Sequence, residues 1–299
     1  MRPGLSLAHK PLGATSFSLV QAFATQAAAA RGGKRPPVCH GGTLDPFAHG
    51  LLLLLLGPAT RLFPFLHSVP KTYVAEVVWG AETDTGDAGG KVVACGDTGA
   101  LTPERLKAAL EAHLGWQQQV PPATSAKKVG GEPAYKKAHR GEAVELPPSR
   151  VYLHAARWLS HRLPHASTLE LTCRGGYYVR ALARDVGRQL GCGAHLVGLH
   201  RTAIGPWQDP GPGSTPLFVG GKALLPWLPS RPLDDAEKGL LKRGEALPRG
   251  RLLPPPWPLP PGFPPAEPHV RALHQDKLVA LLRPEGEQLL PEVALTGGL

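Results

Sequence analysis

His40-Gly41-Gly42-Thr43-Leu44-Asp45-Pro46-Phe47-Ala48-His49-Gly50 runs directly into six consecutive leucines, Leu51 to Leu56. The string places one acidic side chain in a tight loop, at the mouth of an element apolar enough to be buried. Gly41, Gly42 and Gly50 admit backbone conformations that other residues resist, and Pro46 fixes the chain just after the acid. The leucines then anchor the loop in a core. An Asp-Pro pair taken alone is turn chemistry. The complete string is harder to dismiss, and it directs attention to groups elsewhere in the chain that could work with a carboxylate.

The 299 residues suffice for a large catalytic core and a small appendage. Hydrophobic residues make up 42% and charged residues 19%, the balance of a folded, soluble protein. Thirty-three Lys and Arg against 23 Asp and Glu leave +10, which favours an acidic polymer as partner. The charge is concentrated, since residues 127 to 201 hold 13 basic and five acidic side chains. Such a run fits a face laid along phosphates, or a basic surface that serves solubility alone. Cys39, Cys95, Cys173 and Cys192 form no CxxC and no Cys/His pair at metal-ligand spacing, so they read as free thiols in a reducing cytoplasm. The thirteen histidines are scattered and point to no metal. Met1 to Pro11 lacks the apolar segment of a secretory signal, and six leucines fall far short of the roughly 20 residues that span a membrane.

In chain order, Lys10-Pro11-Leu12-Gly13-Ala14-Thr15-Ser16 predicts an extended piece and a turn that deliver Thr15 or Ser16 as the N-cap of a helix to about Ala30. Gly57-Pro58 opens a helical turn with Leu62, Phe63, Phe65 and Leu66 on its apolar side. Lys71 to Gly80 alternates and is a strand, and Thr83 to Gly90 is a polar loop without the ligand spacing of an EF-hand. Thr102-Pro103-Glu104 caps a helix to about Leu114, and a Pro-rich passage follows. A further strand ends at Gly175-Gly176, and a helix runs from about Val179 to Gly191. Arg180 then falls in a first helical turn, where a cation gains nothing from the macrodipole. It is either matched to a specific anion or solvated at the surface. From Leu233 the pattern changes: a short helix from Asp234 to Arg243, ten prolines within residues 248 to 268, and two alternating stretches, His269 to Leu273 and Lys277 to Leu282.

Five ordered segments between residues 9 and 207 resemble the TruB family of tRNA pseudouridine synthases: Lys10 to Ser16, His40 to Gly50, Lys71 to Gly90, Ser125 to Gly141, and Leu171 to Thr202. His9 stands where the family has an acid or Asn, and His139 where it has Arg. The resemblance implies an α+β chain with the pseudouridine synthase fold, a central mixed, mostly antiparallel sheet flanked by helices, over residues 1–228. Residues 229–299, with the Pro-rich segment 248–268, would form a small β-rich appendage similar to a PUA domain. It further implies isomerisation of uridine 55 in the T loop of tRNA, another uridine being the alternative target, with Asp45 as nucleophile, Arg180 as its partner and Tyr73, 28 residues after Asp45, beneath the uracil. Tyr178 and Leu199 match positions that contact the nucleotide, and His40 matches the histidine that fills the space of the flipped base. Read without the family, each of these is an ordinary core or surface residue.

The reaction breaks a glycosidic C–N bond, turns the base and makes a C–C bond, with no net redox change, so no cofactor and no metal are expected. It requires a carboxylate acting at the sugar or the uracil, as in a retaining glycosidase. A partner arginine lowers such a carboxylate's pKa by about 1–3 units. Extruding a base costs a few kcal/mol, and stacking on an aromatic returns about 1–3 kcal/mol. A non-catalytic RNA-binding or tRNA-folding factor would keep the basic face but has no evident need for Asp45, Tyr73 and Arg180 together. A sugar-cleaving hydrolase needs a second catalytic acid, and only Asp84 and Asp87 stand in a comparable loop. No protein partner is evident, and a cytoplasmic monomer is expected.

Overall fold

The computed structural model describes residues 2–30, 32–125, 127–295 and 297–299. The chain begins with β1 (Gly4–Lys10), α1 (Ser16–Ala29), β2 (Val38–His40), β3 (Ala48–Leu56) and a 3-10 helix, Gly57–Leu66. It continues through β4 (Lys71–Trp79), the hairpin β5 (Ala81–Thr83) and β6 (Val92–Cys95), α2 (Pro103–Glu111) and β7 (Gly115–Gln119). Then come the short β8 (Lys128–Val129) and β9 (Glu132–Pro133), α3 (Ala134–His139), β10 (Ser149–Arg162), β11 (Ala166–Cys173), α4 (Val179–Leu190) and β12 (Ala194–Ile204). After β13 (Trp207–Gln208) and β14 (Leu217–Val219), the tail holds β15 (Ser230–Pro232), α5 (Asp235–Lys242), β16 (Leu247–Pro248), β17 (Val270–His274), β18 (Lys277–Glu285) and β19 (Gln288–Ala294).

Two compact units result, Met1–Pro70 with Ala203–Leu299, and Lys71–Thr202. In the first, β1 lies antiparallel between β14 and β3, and β2 pairs with β3. The leucine run is β3, buried on both faces, which is why its sequence is continuous rather than alternating. Leu51, Leu53 and Leu55 face Leu62 and Leu66 of the 3-10 helix, while Leu52, Leu54 and Leu56 face Val20, Phe23 and Ala27 of α1. Phe63, expected on the apolar side of that helix, is 43% exposed. In the second unit the strand order is β12-β4-β11-β10-β7, and β4 alternates so that Lys71, Tyr73, Ala75, Val77 and Trp79 share its buried face.

The tail is a five-stranded sheet ordered β15-β17-β18-β19-β16, parallel only between β15 and β17. Sequence alternation predicted two of these strands. The expected boundary near Leu228 does not coincide with the division into units, because Trp227 and Leu228 share one core with Leu5, Leu51, Leu278 and Leu281. Arg271, 1% exposed, reinforces the join: Nε donates to the Leu228 carbonyl at 3.0 Å, and Nη1 to those of Lys222 at 2.7 Å and Leu224 at 3.2 Å. The Pro-rich segment bends at Pro256 and Trp257 and turns at Pro261 and Gly262, and it is more than a surface strap. Trp257 donates its N–H to the Pro226 carbonyl at 3.2 Å, Trp257 and Leu259 pack against the core, and Phe263 is buried. Among the described residues no helix is long and apolar enough to cross a membrane.

Candidate active site

Asp45 is half-buried and begins a turn in which its carbonyl accepts from the Ala48 N–H at 3.1 Å. Both neighbours of Asp45 are pinned by the segment 10–16. The Ser16 hydroxyl, almost fully buried, donates to the Leu44 carbonyl at 3.1 Å and accepts from the Leu44 N–H at 2.9 Å. On the other flank the Pro46 carbonyl accepts from the Gly13 N–H at 2.8 Å and from Lys10 Nζ at 3.4 Å. Lys10 is fully buried, and its ammonium also donates to the carbonyls of Pro11 at 3.0 Å and Ala14 at 2.7 Å. Thr15, and not Ser16, caps α1, accepting from the Ser18 N–H at 3.0 Å. Two of the loop's glycines meet different needs. Gly42 has φ of 133°, whereas at Gly41 a Cβ would lie 2.8 Å from Leu66 Cδ1, so close approach is what excludes a side chain there.

His40, on β2 opposite Leu54, is half-buried, and its Nδ1 lies 3.4 Å from the Gly42 N–H. His9, at the position where the resemblance led to an acid or Asn, sits 2.9 Å from Asp209, with both side chains buried. Its ring centroid is 5.7 Å from that of His49.

Arg180 is 3% exposed, so the solvated reading fails. Its Nη1 donates to the Thr85 carbonyl and to the Thr124 hydroxyl, each at 2.7 Å, and Nη2 to the Thr124 carbonyl at 3.3 Å. The Asp87 carboxylate stands 3.6 Å away. The polar loop 83–90 is thus a seat for a guanidinium. It is stitched to β12 by two hydrogen bonds, Leu196 N–H to the Gly86 carbonyl at 3.0 Å and Ala88 N–H to the Leu196 carbonyl at 2.9 Å. Gly86 has φ of 73° and a Cβ there would meet Arg180 Cβ at 3.2 Å, which fits glycine to this approach.

Tyr73 on β4 and Leu199 on β12 lie on neighbouring strands and are buried, at 8% and 6% exposure. Tyr178 is half-buried just before α4, clasped by Gln119, which accepts from its N–H at 2.9 Å and donates to its carbonyl at 3.1 Å. The Tyr177 hydroxyl accepts from Gln117 Nε2 at 3.2 Å, and burial raises its phenol well above the ordinary range. Lys71, on the same face of β4 as Tyr73, is buried; desolvation and then the neighbouring Arg201 lower its ammonium to about 7. Cys173, opposite Lys71 in the β4–β11 register, is pushed up by burial to about 12.

His40 and Asp45 therefore belong to the first unit, and Tyr73, Tyr178, Arg180 and Leu199 to the second. Sequence reading missed Lys10 and Ser16 as loop clamps, Thr85, Asp87 and Thr124 around Arg180, and Gln119 beneath Tyr178. Ala126, in the Ser125 to Gly141 segment, lies outside the described residues. Among the described residues no group of His, Cys, Asp and Glu is arranged to hold a metal ion.

Comparison with known proteins gives the family. Residues 33–179 match the model of the TruB family pseudouridylate synthase N-terminal domain, and residues 180–212 that of the tRNA pseudouridylate synthase B C-terminal domain. Over 207 residues the chain is 42% identical to tRNA pseudouridine synthase B of Xanthomonas campestris pv. campestris, covering 69% of this chain and 65% of that protein. It is 44% identical over 207 residues to tRNA pseudouridine synthase B of Cupriavidus taiwanensis, covering 68% and 62%. The match therefore spans less than two thirds of these relatives' own length. In fold, the chain is similar to one in the crystal structure of a Cbf5-Nop10-Gar1 complex, with a TM-score of 0.67, 20% identity, and coverage of 98% of this chain and 84% of that one. A structure of H/ACA RNP bound to a substrate RNA containing 2′-deoxyuridine gives 0.66, 18%, 97% and 84%.

Proposed function

The chain belongs to the TruB family of pseudouridylate synthases, and from that membership we propose that it isomerises uridine 55 in the T loop of tRNA to pseudouridine. Asp45 is the nucleophile. The observation that carries this reading is the double clamp on Leu44 and Pro46, which fixes the backbone on both sides of the acid through Ser16, Gly13 and Lys10. A loop fixed on both flanks holds its carboxylate in place for attack at little reorganisation cost.

The N1–C1′ bond breaks, the uracil turns, and C5 bonds to C1′; one proton leaves C5 and N1 gains one. The balance requires no cofactor and no metal. The family resemblance assigns Arg180 as the cation that works with Asp45, and a cation beside a carboxylate favours its charged form. Tyr73 stacks on the extruded uracil, Leu199 and Tyr178 contact the nucleotide, and His40 fills the space it leaves. Residues 229–299 act as a PUA-like RNA-binding module. The enzyme works in the cytoplasm as a monomer.

The test is pseudouridine formation in unmodified tRNA transcript, mapped to the nucleotide, with wild-type and Asp45→Asn protein and no added metal. Product confined to the T loop with the wild type, and none with the variant, is the expected result. Turnover by Asp45→Asn would remove Asp45 from the chemistry. Tight tRNA binding without product from either protein would turn the reading to an RNA-binding factor.

A further inference from the structure

The outward face of β7 and β10 carries aromatic and cationic side chains that the proposed reaction leaves unused. Strand alternation puts Arg150, Tyr152 and His154 on one face of β10 and the buried Val151 and Leu153 on the other. In register, Trp116 of β7 stands opposite Tyr152, and Gln118 opposite Arg150. β7 is the last strand in its sheet order, and Trp116 is 44% exposed. Its ring centroid lies 5.2 Å from that of Tyr152. The Arg150 guanidinium stands 4.3 Å and that of Arg174 5.8 Å from the same ring. Arg174 is fixed to this face by its N–H, which donates to the Tyr152 carbonyl at 3.0 Å. Gln117 and Gln119, on the opposite side of β7, hold Tyr177 and Tyr178 and so keep the strand in place.

Trp116, Gln118, Arg150, Tyr152, His154 and Arg174 include no acidic side chain, and the stretch 127–201 holds most of the chain's excess positive charge. An exposed indole beside guanidinium planes on a sheet face matches the chemistry of an unpaired nucleotide. Every base has a π-face to stack, guanidiniums stack on bases, and their charge meets the phosphate. We propose that this face binds an unpaired base of the RNA other than the reacting uridine, stacked on the Trp116–Arg150 pair with Arg174 facing its phosphate. The inference rests on RNA being the substrate.

Binding of the full tRNA transcript is measured by fluorescence anisotropy, alongside kcat and KM, for wild type, Trp116→Leu and Trp116→Phe. Trp116→Leu should weaken binding at least fivefold and raise KM with kcat unchanged, while Trp116→Phe stays within about twofold of wild type. Equal melting temperatures for the two variants assign the difference to stacking. Affinity of Trp116→Leu within twofold of wild type overturns the proposal, as does equal weakening by Leu and Phe, which marks the ring as packing. The two readings fail separately. RNA binding that depends on Trp116 without pseudouridine product sinks only the catalytic reading, and full activity indifferent to Trp116→Leu sinks only this one.

Discussion

The loop that carries Asp45 is held through its backbone, by bonds from Ser16, Gly13 and Lys10 to the amide groups of Leu44 and Pro46. Arg180, in the other unit, is held by its side chain, with Thr85, Thr124 and Asp87 around the guanidinium. The contrast follows from what each group is proposed to do. A nucleophile must be in position before it attacks, and fixing its flanking backbone secures that position. A cation that only supplies field and hydrogen bonds loses nothing by being gripped, and gains orientation.

Removing Lys10 should break the first cradle hardest. Lys10→Met takes the ammonium away from the partly buried carbonyls of Pro11 and Ala14 and leaves Pro46 with the Gly13 N–H alone, at a cost of about 1–3 kcal/mol. Urea unfolding measures it, and kcat should fall together with stability. A variant as stable as wild type would show that the carbonyls find other donors and that the clamp is dispensable.

Arg180→Lys probes the second cradle. An ammonium cannot reproduce the fork that meets Thr85 and Thr124 at once, so kcat with saturating tRNA should drop by roughly 10²–10³, the usual cost of losing one well-placed donor. The melting temperature should move little by comparison. Near wild-type kcat would mean that charge alone suffices at this position.

How much of this was legible beforehand differs between the regions. Leu51 to Leu56, the alternation of Lys71 to Trp79 and the Gly-bounded α4 announce themselves through hydrophobic pattern and chain punctuation, and the structure forms a strand, a strand and a helix there. The clamp did not announce itself, because Ser16 and Leu44 are 28 residues apart and a hydroxyl bound to a distant amide leaves no periodic trace. β7 carries no such mark, since Gly-Trp-Gln-Gln-Gln has no apolar alternation and leads into a Pro-rich passage. β19 was hidden by Pro291, which sits at a register shift against Leu282 where a ladder donor is not needed. The shared core of tail and leucine strand was invisible for the same reason as the clamp: it joins Leu5 to Leu281.

Lys71 adds a pH signature to the second unit. Below pH 7 the folded and unfolded chains both hold its proton, and the folded state bears the full cost of the buried charge. Above pH 7 the folded lysine has shed the proton while the unfolded one, with an ordinary value near 10.4, retains it. Stability therefore rises with pH, by up to about 2 kcal/mol between pH 7 and 8.5. Beyond that the unfolded Cys173 thiol ionises while the folded one does not, and the gain is offset. Denaturant unfolding across this window should show the slope in wild type and lose it in Lys71→Met; equal slopes would mean that Lys71 keeps its proton.

The smallest effects separate two adjacent hydroxyls. Thr15 serves α1 alone, as its N-cap, whereas Ser16 turns inward and holds Leu44 by both its N–H and its carbonyl. Each alanine substitution should cost about 1 kcal/mol, for a lost cap in one case and for lost buried hydrogen bonds in the other. Stability therefore cannot tell them apart, but turnover can. Thr15→Ala leaves the aspartate loop tied and should keep wild-type kcat at saturating tRNA. Ser16→Ala frees one flank of Asp45, and even a small displacement of a nucleophile is costly, so kcat should fall by about tenfold or more. Equal kcat for the two variants would show that Gly13 and Lys10, on the Pro46 side, hold the loop without Ser16.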